Sequence, residues 1–452
     1  AEAVDSAVRT ARSSFDSGPW GRTTGRDRAR VLYRAAGLLE SRAADFAELL
    51  VLETGKPIRE AEGEVQAAVS AFEFFAGLAR DIGGRTLRDV DAGLLALTLR
   101  EPAGVAGLIV PWNFPLGILA QKLPPALAAG CSAVVKPSPL TPLSTLATAA
   151  LLLEAGLDAD ALSVVVGDGL AGAALVEHED VDVISFTGST ATGRRIAAAA
   201  GARRLKRVAL EAGGKTPVIV TAGADLDSAV EGLLFASYFN QGQVCVAGSR
   251  ILADAAIAGD LAERLGTRAE RIVLGDPFAP ETEMGPLISR QHHDTVSTAV
   301  RTAVDEGARL VAGDGRTRVE GTAAQPFLPP TVLWSDSDDN ISVREELFGP
   351  VTVVQPYDTL SEAVARANRS RYGLAASVWT RDIEEALTLV TGLRSGTVWV
   401  NGSTDAFPEI PLGGRRDSGY GSEFGREGME FFTDVKTVQL RGGHARTWYG
   451  RL

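Results

Sequence analysis

From Val105 onward, short unbroken apolar runs alternate with stretches whose apolar residues recur at helical spacing. Residues 105–110, 132–135, 163–166, 183–186 and 207–210 read as strands. Helices at 121–129, 143–155 and 171–177, and one after Thr190, separate them. A strand that is apolar throughout must be covered on both faces, and strands joined through helices run parallel. Ligands of such sheets bind beyond the carboxyl ends of the strands. The loops after Val110, Val135, Val166 and Phe186 all leave at that end.

A second α/β unit follows. Its strands are expected at 218–220, 249–252, 331–333, 351–355, 376–379 and 397–400, with helices at 225–239, 257–270, 289–306, 360–369 and 382–393. Ahead of the first sheet, one helix is predicted over 27–54, stopped by Gly55 and Pro57. Another is predicted over 58–79, before Gly83-Gly84. Residues 94–100 read as a strand, and the chain from Thr433 as a strand with a polar tail.

The 452 residues suffice for two or three domains with large cores. A formal charge of −12 without a basic run argues against nucleic acid and anionic membrane as partners. The longest apolar runs, such as 147–153, are too short to span a bilayer. Two cysteines exclude a disulfide scaffold and suit a reducing, cytoplasmic compartment. No signal-peptide pattern opens the chain, which begins with Ala rather than Met and so leaves room for an upstream segment. The four histidines have no metal-ligand spacing with the cysteines, so no metal is expected; His292-His293 read as helix-surface residues.

Cys245 follows a Gly turn past the end of an amphipathic helix capped by Asp225. A thiol there is either a cleft nucleophile or a small buried hydrophobe. Gly167-Asp168-Gly169-Leu170-Ala171-Gly172 fits a dinucleotide fingerprint, yet no acidic residue ends a strand about 20 residues on. Thr187-Gly188-Ser189-Thr190 offers a helix N-terminus to phosphate, or is an ordinary N-cap. Glu211, in Glu211-Ala212-Gly213-Gly214-Lys215, is a general base or a surface carboxylate. Asn113 is an oxyanion donor or a turn residue. Cys131 reads as core packing.

Taken together, these segments have an order. Pro111–Pro115, Lys136, Phe186–Thr190, Glu211–Lys215, Gly242–Cys245, Glu345–Pro350 and Pro411–Gly414 resemble the NAD(P)-dependent aldehyde dehydrogenase superfamily over essentially the whole chain. The 34 residues from Glu211 to Cys245 (245 − 211) match the spacing of that family's base and nucleophile. The resemblance implies a Rossmann-type parallel-sheet cofactor domain from 1–82 and 103–212, and an α/β catalytic domain from 213–432. A small β bridging element, from 83–102 and 433–452, would join subunits into homodimers or homotetramers. Unpaired strand edges in a lone subunit support such pairing.

The implied chemistry starts with attack of the Cys245 thiolate on an aldehyde, with Asn113 and the Cys245 N–H holding the oxyanion. Hydride then leaves for nicotinamide, and Glu211 activates water to hydrolyse the thioester. Glu211 argues against the coenzyme-A-acylating branch. Lys122 and Glu423 match a proton-relay pair, or form a structural salt bridge. For the cofactor, the resemblance assigns Trp112, Lys136, Ser138, Pro139, Gly169, Gly188, Ser189, Glu346 and Phe348. Relatives that prefer NAD usually carry Glu where this chain has Pro139, so NADP is less strongly excluded, with NAD slightly favoured. Ala212 stands where Leu is frequent. Phe114, Ile118, Gln121, Val244, Val246, Ala406 and Phe407 are expected to line the substrate tunnel. Gln121 replaces the Arg of semialdehyde-acid enzymes, and the aromatic set for a trimethylammonium group is missing. A neutral, largely apolar aldehyde is the expected substrate. The competing readings are a non-catalytic binding or structural module that kept the fold, and an enzyme acting mainly as an esterase.

Overall fold

The computed structural model describes residues 2–88, 90–314 and 326–442. Among these, the strands form three sheets. Arg207–Glu211, Val183–Thr187, Val105–Ile109, Ser132–Lys136 and Leu162–Val164 lie side by side and parallel. Numbered along the chain they stand 5-4-1-2-3, the doubly wound order. Connections leave Val105–Ile109 toward one edge and later return to its other side at Val183–Thr187. The crevice beyond the carboxyl ends of those two strands is the topological switch point, where ligands of such sheets bind. Gly419–Tyr420 pairs antiparallel with Leu210 and Glu211 at the edge, so a segment from late in the chain closes this early sheet.

The second sheet orders Arg309–Ala312, Thr331–Trp334, Val351–Tyr357, Arg250–Asp254, Pro217–Val220, Ala375–Trp379 and Thr397–Val400. All its pairs are parallel except the first, whose ladder also carries a bulge. Arg309–Ala312 escapes the sequence pattern because an edge strand is half-exposed and mixed in polarity. The chain passes from the first sheet to the second through Ala212-Gly213-Gly214-Lys215-Thr216, so Glu211 stands at their junction. The third sheet joins Thr86–Leu87, Leu94–Pro102 and Thr433–Arg441, with nine paired positions from Thr433↔Pro102 to Arg441↔Leu94. The polar tail and His444 lie outside the described residues.

The helices depart from expectation in instructive places. The segment 27–54 is two helices, Gly25–Ser41 and Ala43–Thr54, broken where Arg42 leaves helical geometry (φ −115°, ψ 21°). Its true start is set by Thr24, whose hydroxyl accepts the Asp27 N–H. Gly55 ends the second helix in the left-handed conformation (φ 76°). The helix expected at 121–129 begins at Pro115. Proline is well placed in a first turn, where no N–H is required, and the carboxylate of Glu64 accepts the next two N–H groups, Leu116 and Gly117, at 3.0 and 2.9 Å. Asp168 caps Gly169–Glu177 through the Leu170 N–H, which puts Gly169 inside that helix. No helix among the described residues is long and apolar enough to cross a membrane.

Candidate active site

Three loops meet at the switch point. The first leaves Val105–Ile109 and carries Trp112 and Asn113. Asn113 is buried, and its Nδ2 donates to the Gln243 carbonyl at 3.0 Å. A primary amide has two N–H bonds; one is fixed on the loop that bears Cys245, and the second has no hydrogen-bond partner among the described residues.

The second loop is the cysteine turn. Helix Leu226–Tyr238 starts on Asp225, whose carboxylate accepts the Ser228 N–H. Three successive left-handed residues, Asn240, Gln241 and Gly242 (φ 50°, 57° and 67°), then reverse the chain. A Cβ on Gly242 would lie 2.2 Å from the Gly349 carbonyl oxygen, so this position requires glycine and the cysteine turn sits directly on the 346–350 loop. Cys245 emerges half-buried. It shares an apolar cluster built on Val244, Val246, Ala247, Leu374 and Ala375, against which Phe114, Phe239 and Trp399 also pack.

The third loop holds Glu346 and Phe348. Glu346 accepts the Gly214 N–H at 2.9 Å. Its carboxylate fills the space a side chain at 213 would need, since a Cβ on Gly213 would lie 2.1 Å from Oε2. Phe348 is left-handed (φ 55°), a strained backbone state for a bulky residue. His292 stabilises it by hydrogen-bonding to the Phe348 carbonyl at 2.7 Å. Trp112 packs edge-on against both rings, at 5.3 Å from Phe348 and 5.5 Å from His292. His292 is therefore not the surface residue its sequence context suggests. Burial lowers its pKa, which favours the neutral ring.

A cavity of about 230 Å³ joins these loops, lined by Trp112, Asn113, Thr187, Gly188, Ser189, Ala212, Gly213, Cys245, Glu346 and Phe348. At one side lies the N-terminus of helix Thr190–Ala200, capped by Ser189 through the Thr192 N–H. Thr187 Oγ1 is buried there without a hydrogen-bond partner among the described residues. A helix N-terminus with spare donors suits a diphosphate. Lys136 and Ser138 are buried at the end of the neighbouring strand, where Lys136 Nζ donates to the Pro137 carbonyl. Pro139 and Gly169 are exposed at that rim. The spare donors of the helix N-terminus fit the diphosphate of a dinucleotide.

Glu211 is buried at the carboxyl end of its strand, and its Oε1 has no partner among the described residues. Burial and the charge of Glu423 hold its pKa well above the ordinary carboxylate range, against the pull of Lys122. Lys122 and Glu423 form a fully buried ion pair, and Lys122 Nζ also donates to Ser185 Oγ at 2.9 Å. Burial, then the charges of Glu346 and Glu211, push the Cys245 thiol up to about 12. The backbone N–H groups of Cys245 and Val246 oppose this by favouring the thiolate. Glu346 itself is pushed by burial to about 7.

The expected tunnel residues divide. Phe114, Val244 and Val246 share an apolar cluster with Cys245. Ile118 packs in the helical core under the first sheet and Gln121 is half-buried. Ala406 and Phe407 are exposed, and none of the seven is among the residues that line the cavity. Sequence reasoning missed Phe239 and Trp399 in the apolar cluster that includes Cys245, His292 bonded to the Phe348 carbonyl, and the buried Lys56 and Glu64 behind Asn113. Cys131 is fully buried core, as expected.

Comparison with known proteins gives the same picture. The model described as "Aldehyde dehydrogenase family" matches residues 1–438. A mitochondrial aldehyde dehydrogenase of Rattus norvegicus is 41% identical over 444 residues, covering 97% of this chain and 84% of the relative. A betaine aldehyde dehydrogenase of Bacillus subtilis is 40% identical over 433 residues, covering 96% and 88%. The crystal structure of an NAD-dependent aldehyde dehydrogenase from Sinorhizobium meliloti superposes with a TM-score of 0.96 at 40% identity, covering 99% of this chain and 89% of that one. A betaine aldehyde dehydrogenase from Staphylococcus aureus, solved with NAD+, gives 0.96 at 36% identity, covering 100% and 90%. With its doubly wound sheet, its switch-point cavity and these relatives, the chain belongs to the aldehyde dehydrogenase family, and its reaction is the NAD(P)-dependent oxidation of an aldehyde to a carboxylic acid.

Proposed function

We propose that Cys245 is the nucleophile, Asn113 the oxyanion donor and Glu211 the base that activates water. The observation that carries this reading is the single cavity in which Cys245 and the Asn113 amide open onto the Thr187–Ser189 turn, with Glu346 and Phe348 opposite. Cys245 Sγ adds to the aldehyde carbon, and the developing oxyanion takes the free Asn113 N–H and the Cys245 N–H. When bound, the nicotinamide supplies the hydride acceptor. Glu211 then takes a proton from water, which attacks the Cys245 thioester and releases the acid. Lys122 and Glu423 hold the field around Glu211 and give its proton a buried route away. Lys136, Ser138, Gly188 and Ser189 hold the adenosine and diphosphate end, and Trp112, Glu346 and Phe348 the nicotinamide end. Pro139 cannot accept ribose hydrogen bonds or repel a 2′-phosphate, so NAD is favoured only slightly over NADP.

The substrate read from the site is a neutral, largely apolar aldehyde. Phe114, Phe239 and Trp399 give the approach to Cys245 an apolar character. The Phe114 ring already carries the Lys56 ammonium 4.2 Å from its centroid, so its cation–π interaction is engaged within the protein. The same reading takes the cofactor domain as 1–82 and 103–212, the catalytic domain as 213–432, and the Leu94–Pro102 and Thr433–Arg441 arm as the element that joins subunits. Exposed Leu95, Leu99, Val435 and Leu440 on that arm support a homodimer or homotetramer. Two free cysteines suit a reducing, cytoplasmic setting.

The test is cofactor reduction, followed by absorbance, with aliphatic, aromatic, acidic and cationic aldehydes in parallel with NAD and NADP. Turnover of neutral aldehydes is expected to exceed that of the charged ones. A preference for an acidic or cationic aldehyde would overturn the substrate assignment.

A further inference from the structure

Behind Asn113 lies a second lysine–glutamate pair, outside the sites assigned above. Lys56 is fully buried and pairs with the buried Glu64. Its Nζ also donates to the Asn113 carbonyl at 3.0 Å and stands over the Phe114 ring. The other oxygen of Glu64 holds the Leu116 and Gly117 N–H groups. The pair therefore grips the 113–117 corner at a carbonyl and at a helix N-terminus. Asn240 Nδ2 donates to the same Asn113 carbonyl at 3.0 Å, and the Asn240 N–H donates to Glu60 Oε2 at 3.0 Å. Residues 56, 60 and 64 thus tie the asparagine corner to the cysteine turn.

A buried ion pair is a poor device for stability alone, since apolar residues of similar volume serve as well or better. Here every spare polar atom of the pair is aimed at one backbone corner. We propose that Lys56, acting with Glu64, is a positioning residue that sets the Asn113 amide against Cys245 through the Asn113 carbonyl. This rests on the reading of Asn113 as oxyanion donor.

A double-mutant cycle on the full chain, read by single-turnover cofactor reduction with an aldehyde, separates the two. Asn113→Ala alone tests the donor reading: an unchanged rate means that reading fails, and this inference with it. If Asn113→Ala is slow, Lys56→Met is expected to lower the rate by roughly tenfold to a hundredfold, the scale of a small misplacement of a reacting group. Its affinity for NAD, by fluorescence titration, is expected to stay within about twofold, because Lys56 acts on the acyl-forming group. In the Asn113→Ala background the same change is expected to cost nothing further. Additive losses, or an equal loss of cofactor affinity, would show a general structural role and overturn the inference. Glu64→Gln keeps an acceptor for Leu116 and Gly117 while removing the charge. It is expected to give a smaller loss that Asn113→Ala also masks, so the cycle can be closed with Glu64→Gln should Lys56→Met not fold.

Discussion

Helix Pro115–Ala129 is flanked by two buried lysine–glutamate pairs that differ in how completely they are satisfied. At its N-terminus, both oxygens of Glu64 are engaged, by Lys56 and by two backbone N–H groups. In its middle, Glu423 gives one oxygen to Lys122 and Ser185, while the other is buried without a partner among the described residues. Glu211 Oε1 is likewise buried without a partner among the described residues. Fully satisfied, a buried polar network rigidifies its surroundings; partly satisfied, it leaves a site where a proton changes the energy most. On the proposed readings, the first pair holds a backbone corner still and the second sets the field around Glu211.

The contrast can be broken at several points. Cys245→Ala removes the thiol on which both halves converge, so aldehyde oxidation and ester hydrolysis should both vanish; retained oxidation in cofactor-reduction assays would remove Cys245 from the mechanism. Glu211→Gln strikes only the titrating side. Its first turnover of cofactor reduction should remain visible in rapid mixing, while steady turnover drops by about 10²–10⁴-fold, the usual weight of a general base. Equal loss in both phases would place Glu211 in the acyl-forming half.

A pH profile sharpens the comparison further. Burial and neighbouring carboxylates push the Cys245 thiol up to about 12 and raise the Glu211 carboxyl well above its ordinary range. On the proposed mechanism each must lose its proton to act, so turnover should rise with increasing pH. Glu423→Gln removes a negative charge that raises the Glu211 pKa, so the limb set by Glu211 should move to lower pH. Glu64→Gln, on the satisfied pair, should leave that limb in place. A limb that moves with Glu64→Gln and stays with Glu423→Gln would reverse the two assignments. The smallest effect is expected at the exposed rim, where Pro139→Glu should raise the NAD/NADP ratio of kcat/KM severalfold; an unchanged ratio would locate cofactor discrimination elsewhere.

The positions of the proposed site residues were legible in the sequence because they sit at or just beyond the ends of regular elements. Asn113, Thr187–Ser189 and Glu211 follow apolar strands, and Cys245 follows a capped helix, so each could be placed without coordinates. The satisfied pair could not. Lys56 lies between Gly55 and Pro57, a context that reads as an exposed turn, and lysine is seldom buried. Only the packing of helix Ile58–Leu78 against Pro115–Ala129 turns it inward. The helix start at Pro115 was hidden for the same reason: its cap comes from Glu64, 51 residues upstream in sequence (115 − 64). Gly419–Tyr420 was invisible because a two-residue antiparallel edge has no periodicity to detect.

The partner of Lys122 lies 301 residues downstream. During synthesis the first sheet therefore emerges with a lysine that must be buried but has nothing to neutralise it. Its edge strand Arg207–Glu211 waits for Gly419–Tyr420, and Leu94–Pro102 waits for Thr433–Arg441. Closure of the early half is thus timed by the late half. A fragment ending near residue 212 should be a poor folding unit despite containing five parallel strands, and a ribosome-bound chain should become protease-resistant only after residue 441 has emerged.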